Sequence, residues 1–109
     1  MTVKELAKEL NCQVICMPDG ERKVNGGYAG DLLSWVIGRA SADCVWITIM
    51  SNVNVIAVAS LADVACVLLS ENVNLDSEEV LNKAISQGIN ILKTDLDTFS
   101  ACKKLSLLI

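Results

Sequence analysis

Val45-Trp46-Ile47-Thr48-Ile49-Met50, then Ser51-Asn52-Val53-Asn54, then Ala65-Cys66-Val67-Leu68-Leu69, is the stretch whose reading decides the fold. The first run is rich in β-branched residues and almost unbroken in apolar character. That is the pattern of a strand covered on both faces, so a central, parallel strand is expected. Asn52 to Asp63 is too densely apolar for a surface helix, but Ala57, Ala59 and Ala62 favour helix and permit close packing on a sheet. Ala65 to Leu69 reads as a second buried strand.

Downstream, Asp76 and Glu79 make a capping-box pattern, and Val80, Leu81, Ala84 and Ile85 form the buried stripe of a helix that Gly88 should end. Ile89-Asn90-Ile91-Leu92-Lys93 reads as a last strand. From Asp97 onward, Phe99, Cys102, Leu105 and Leu108 mark a C-terminal helix. Upstream, Thr2 and Glu5 form another capping box ahead of Val3, Leu6, Ala7 and Leu10. Cys12 to Cys16 reads as a strand, ended by a tight turn at Met17-Pro18-Asp19-Gly20. Glu21 to Asp31 holds Gly26, Gly27 and Gly30 around Tyr28, which implies a short strand or loop with unusual backbone angles or close backbone approach. Asp31 is placed to N-cap a helix using Leu32, Leu33, Val36 and Ile37.

Strands alternating with helices imply right-handed crossovers. The expected fold is α/β, a single domain over residues 1–109 with a mostly parallel sheet flanked by helices. A chain of 109 residues supports one core. Neither a repeat nor a linker is visible.

Composition narrows the function. An apolar fraction of 52% against 20% charged describes a packed globular chain. The net charge is −4 and no segment concentrates Lys and Arg, so nucleic acid is not an expected partner. The longest apolar region, Val53 to Leu69, is broken by Asn54, Ser60 and Asp63, so no membrane span is expected. The N-terminus shows no signal-peptide pattern, and a cytoplasmic location is expected. Cys12, Cys16, Cys44, Cys66 and Cys102 are odd in number and scattered through apolar stretches, which argues for buried thiols rather than a disulfide framework.

The sequence contains no histidine, which removes the usual general acid/base and the Ser-His-Asp and Cys-His arrangements. No Gly-x-x-x-x-Gly-Lys-[Ser/Thr] occurs. Cys12-x-x-x-Cys16 lacks a second pair for zinc, and residues four apart on a strand share a face, so both are expected in the core. Glu78-Glu79 and Asp95/Asp97 are explained by the attraction of carboxylates to helix N-termini. Catalytic residues, metal ligands and a cofactor are therefore not expected. Trp46 is expected in the core, while Trp35 is a candidate interface anchor.

Glu21-Arg22-Lys23-Val24-Asn25-Gly26-Gly27-Tyr28-Ala29-Gly30-Asp31-Leu32-Leu33, with Gly38-Arg39-Ala40, Val45 to Ile49 and Asn54 to Leu61, resembles the DRTGG family signature. Arg22, Gly26 and Gly27 keep the name-giving motif; Glu21 stands for Asp and Asn25 for Thr. Similar domains accompany CBS pairs or phosphotransacetylase domains and resemble the N-terminal domain of HPr kinase/phosphorylase. The resemblance implies a regulatory role, an α/β fold and a homodimer, but supplies no ligand.

Two functional readings follow. In the first, Tyr28, Asp31, Ser51, Asn52, Asn54 and Thr94 gather in a crevice at the carboxyl edge of the sheet around a small anionic or nucleotide-like ligand, with Arg22, Gly26 and Gly27 as further ligand-binding candidates. In the second, an apolar surface at Trp35 or Leu105-Leu107-Leu108 docks a second copy or an unidentified protein partner.

Overall fold

In the computed structural model, which describes residues 1–109, the chain order is α1 (Val3–Glu9), β1 (Gln13–Cys16), β2 (Gly27–Ala29), α2 (Leu33–Arg39), β3 (Val45–Thr48), α3 (Val53–Ala62), β4 (Cys66–Leu69), α4 (Glu78–Ser86), β5 (Ile91–Lys93) and α5 (Thr98–Ser106). The five strands form one sheet in the order β1-β5-β4-β3-β2. Strands β2 to β5 are parallel and neighbour one another in chain order, while β1 adds antiparallel to β5. Each crossover therefore steps in the same direction, and crossovers of one hand place α2, α3 and α4 on a single face.

The two sides of the sheet carry separate cores. Trp46, Val67, Leu69 and Ile91 face α2 to α4, where Val36, Val55, Ile56, Ala59, Val80 and Ala84 meet them. Val45, Ile47, Cys66, Leu68 and Leu92 face the other way and are covered by Val3 and Leu6 of α1 and Ala101 and Leu105 of α5. Every residue of β3, β4 and β5 is buried, the two-sided covering that the apolar run at Val45 implies. The Trp46 indole N–H, which needs a partner once buried, donates to the Gly30 carbonyl at 2.8 Å.

Some helix ends follow the local sequence signal and others do not. Thr2 and Glu5 form the expected capping box, and Gly88 follows α4 with φ +72°. Asp31 does not cap α2, whose N-cap is Leu32 without a side-chain bond. Asp76 does not cap α4 either: Ser77 takes that position, also without a side-chain bond. Asp31 is drawn instead to the end of β3, and Asp76 to Ser51 in the loop that follows that strand. Phe99 is 68% exposed, because α5 turns Ala101 and Leu105 to the sheet. Cys12 and Cys16 fall in opposite cores: an irregularity between Val14 and Cys16 breaks the two-residue alternation of β1.

Candidate functional site

The carboxyl ends of β2 to β5 bring Asp31, Ser51, Asn52, Asn54 and Thr94 to one edge of the sheet, but not into one pocket. Asp31 Oδ1 accepts from Thr48 Oγ1 at 2.8 Å and from the Ile49 N–H at 3.0 Å, closing the end of β3. Ser51 Oγ donates to Asp76 Oδ1 at 2.5 Å, and the Asp76 N–H returns to the Ser51 carbonyl at 3.1 Å. The loops after β3 and β4 are thereby tied together. Asn52 N-caps α3 by accepting from the Asn54 N–H at 2.9 Å. Asp31 thus holds a loop to a strand, Ser51 a loop to a loop, and Asn52 a helix end.

Thr94 stands apart from them. Its Oγ1 accepts from the Leu96 N–H at 3.2 Å, and it lines a polar cavity of about 250 Å³ with Asn11, Gln13, Asn72, Lys93 and Asp95. No apolar side chain lines this cavity.

Gly26, Gly27 and Tyr28 line the largest cavity, a half-open groove of about 450 Å³ between β2 and the end of α5. Asn25 and Ser106 supply its polar side chains, and Ile47, Leu105 and Ile109 its apolar ones. Strand β2 is the edge of the sheet. The Val45 N–H donates to the Gly26 carbonyl at 3.0 Å and the Gly30 N–H to the Ile47 carbonyl at 3.1 Å. Strand alternation then turns the backbone groups of Tyr28 inward and those of Gly27 and Ala29 toward the open edge. Leu105 lies so close to Gly27 that a Cβ there would sit 3.0 Å from Leu105 Cδ2, so the missing side chain is what lets α5 approach. Gly26 needs its freedom for another reason, a φ of +82°.

Arg22 is placed at the opposite, amino edge of the sheet. Its Nη2 reaches Asp43 Oδ1 at 2.9 Å and the Oδ1 and carbonyl of Asp63, each at 2.7 Å. Burial pulls the guanidinium pKa down, but these carboxylates outweigh it and raise it. The arrangement is a clamp on the segment leading into β2.

Burial pushes the Cys12 thiol up to about 11 and raises those of Cys16, Cys44, Cys66 and Cys102. A nucleophilic cysteine needs the reverse shift. The cysteines are free thiols, and no group of three or more Cys, Asp or Glu side chains is arranged to hold a metal ion. No helix is long and apolar enough to cross a membrane. Sequence reasoning missed Cys102, Leu105, Ser106 and Ile109 as groove walls, because the path of α5 beneath the sheet to β2 has no local signal. Lys93, which closes the strand run Ile89-Asn90-Ile91-Leu92, carries a signal in the sequence itself, a charge at the end of a buried strand.

Fold and cavities define a small three-layer α/β module. The chain belongs to the DRTGG domain family, whose model matches residues 5–108. Comparison with curated proteins finds no match. Among solved structures, the chain is similar to the CBS and DRTGG domains of the regulatory region of Clostridium perfringens pyrophosphatase, crystallised with its activator diadenosine tetraphosphate. The TM-score is 0.73 at 13% identity, over 95% of this chain and 45% of that one. This chain thus spans less than half of that structure, and the likeness is one of fold.

Proposed function

We propose that this chain is a non-catalytic regulatory module that senses a small nucleotide-like ligand in the groove between β2 and α5. The observation that carries the reading is the open edge of β2 above an apolar wall. Gly27 and Ala29 offer backbone donors and acceptors beside Ile47, Leu105 and Ile109. A flat heterocycle satisfies both, burying its faces on the apolar side chains and pairing its polar rim with the strand. No charged residue lines the groove, so it suits a base rather than a phosphate chain. The regulatory region with the similar fold binds a dinucleotide, which supports the same ligand class.

Titrating the ¹⁵N-labelled chain with adenosine, guanosine and cytidine tests this. Saturable shifts at Gly27, Tyr28, Ala29 and Ser106, lost in Gly27→Val, are expected. No shift with any nucleoside at millimolar concentration would remove the reading. Sugar phosphates and acyl phosphates complete the screen.

A second reading, protein interaction or a homodimer, is favoured by α2. Leu32, Trp35 and Ile37 are 55%, 51% and 47% exposed, and the Arg39 guanidinium lies 3.8 Å from the Trp35 ring centroid. Leu32 and Trp35, three residues apart, share a face, and exposed apolar side chains of this size are usual at contact surfaces. Light scattering across a concentration series, with Trp35→Glu as control, tests it. A monomer throughout, together with no recovered partner, removes it.

A further inference from the structure

We propose that the polar cavity at the carboxyl ends of β4 and β5 is a second ligand site, one that binds an oxyanion, phosphate or carboxylate, through Lys93. The residue lies in β5 between β1 and β4, and only 9% of it is exposed. Its ammonium donates to Asn74 Oδ1. Both ion pairs of the chain are made by Arg22, so no carboxylate stands within ion-pair distance of Lys93. An ammonium has three protons to place, and Asn74 is the one side-chain partner that Lys93 finds, which leaves donors for an anion entering the cavity it lines.

The surroundings are built for such an anion. The cavity is lined by Asn11, Gln13, Asn72, Lys93, Thr94 and Asp95, and the side-chain amides among them can turn their NH₂ groups inward. Asn11 and Asn72 hold left-handed backbone, at φ 53° and 59°, at the two loops that flank it. Asp95 is the opposing charge. It sits on the exposed rim and beyond ion-pair distance of the ammonium, so it limits the charge the site accepts without filling it.

Topology points to the same place. After β4 the chain passes to α4 on one face, and after β5 it passes to α5 on the other. In open α/β sheets, the crevice between strands whose connections diverge is where ligands bind. The connections after β2 and β3 stay on one face, which leaves the carboxyl ends of β4 and β5 as the place where such a crevice opens. A volume of about 250 Å³ suits one phosphate or carboxylate group with a small appendage. The site is three strand spacings, roughly 14 Å, from β2, and it does not depend on the groove reading.

The test is an NMR titration of the ¹⁵N-labelled chain with inorganic phosphate and, separately, acetate, raised to tens of millimolar at ionic strength held constant with sodium chloride. Saturable shifts confined to Gln13, Asn72, Thr94 and Asp95 are expected for at least one anion, and the better anion names the headgroup. Lys93→Met keeps the volume apolar and should abolish saturation. Asn72→Gly keeps the left-handed backbone while removing the amide, and should weaken binding several-fold. Absence of saturation with both anions overturns the proposal, as does unchanged affinity in a folded Lys93→Met chain. Because neither probe carries a base, its result is separate from that of the nucleoside titration.

Discussion

Arg22 donates from one nitrogen to both the side chain and the carbonyl of Asp63, each at 2.7 Å, although the two residues belong to separate turns at the amino edge of the sheet. The same guanidinium holds Asp43 through Nε and Nη2 at 3.1 and 2.9 Å, and the Asp43 N–H donates to the Asp63 carbonyl at 2.8 Å. Asp43 and Asp63 both adopt left-handed backbone, at φ 64° and 57°. The family's arginine thus fastens the segment before β2 to the turns that precede β3 and β4. The carboxylates are half-exposed or more, so solvent screening limits the energy. Arg22→Met should cost about 1–2 kcal/mol in urea denaturation. Arg22→Lys should recover only part of this, because an ammonium cannot reproduce the planar fork. Unchanged stability in both variants would show the clamp to be incidental.

Asn90 performs a similar task in the interior. It is 1% exposed; its Nδ2 donates to the carbonyls of Asp19 and Ala65 at 2.8 and 2.9 Å, and its Oδ1 accepts from the Asp19 N–H at 2.9 Å. One amide thereby pins the turn after β1 to the start of β4. Asn90→Ala strands those backbone groups and should cost about 2–3 kcal/mol. Asn90→Asp should be worse at neutral pH, because a carboxylate would face two carbonyl oxygens. Protonation restores a donor, so its deficit should shrink as pH falls. Denaturation curves at pH 7 and pH 5 measure both effects.

These two side chains also mark the limit of what the sequence discloses. The β3-α3-β4 unit is legible because its signal is local: apolar runs with β-branched residues imply two-sided burial, and alanines permit a helix to lie close on the sheet. Gly88 and Thr2 are legible because helix ends recruit particular residues. Asp31 and Asp76 mislead for the same reason in reverse. Each stands where a cap would, but a donor distant in sequence, Thr48 or Ser51, claims the carboxylate. The candidate site is less legible still. The glycines around β2 are visible in the sequence, whereas Leu105 and Ile109 reach Gly27 only because α5, which begins after β5, runs against the sheet to β3 and β2.

The cysteines should set the alkaline limit of stability. Burial raises all five thiol pKa values, Cys12 to about 11. A raised pKa means that the folded state keeps a proton the unfolded state has released. This contribution is whole below the ordinary thiol value of 9.0 and is lost as pH rises through the folded values. Stability should therefore fall above about pH 9, and Cys66→Ala or Cys12→Ser should make that fall shallower. Iodoacetamide labelling at pH 8, read by mass spectrometry, should proceed at the half-buried Cys102 before Cys12. Cys16, Cys44 and Cys66 should label only after denaturation. Prompt labelling of Cys66 in the native protein would contradict its burial.

The acid limit should come from two helix N-termini. The Thr2 N–H and hydroxyl hold the Glu5 carboxyl below its ordinary value of 4.5. The Ser100 hydroxyl and N–H hold Asp97 below 3.8. A depressed carboxyl pKa contributes stability that is present above the ordinary value and disappears as pH falls through the folded one. Melting temperature should thus decline below about pH 4.5. Asp97→Asn separates cap from charge, since asparagine caps a helix as well as aspartate but does not titrate. Its melting temperature at pH 7 should stay close to that of the parent, and its decline toward pH 3 should be shallower. An acid limb as steep as the parent's would place the titrating groups elsewhere and leave the Asp97–Ser100 contact as a simple cap.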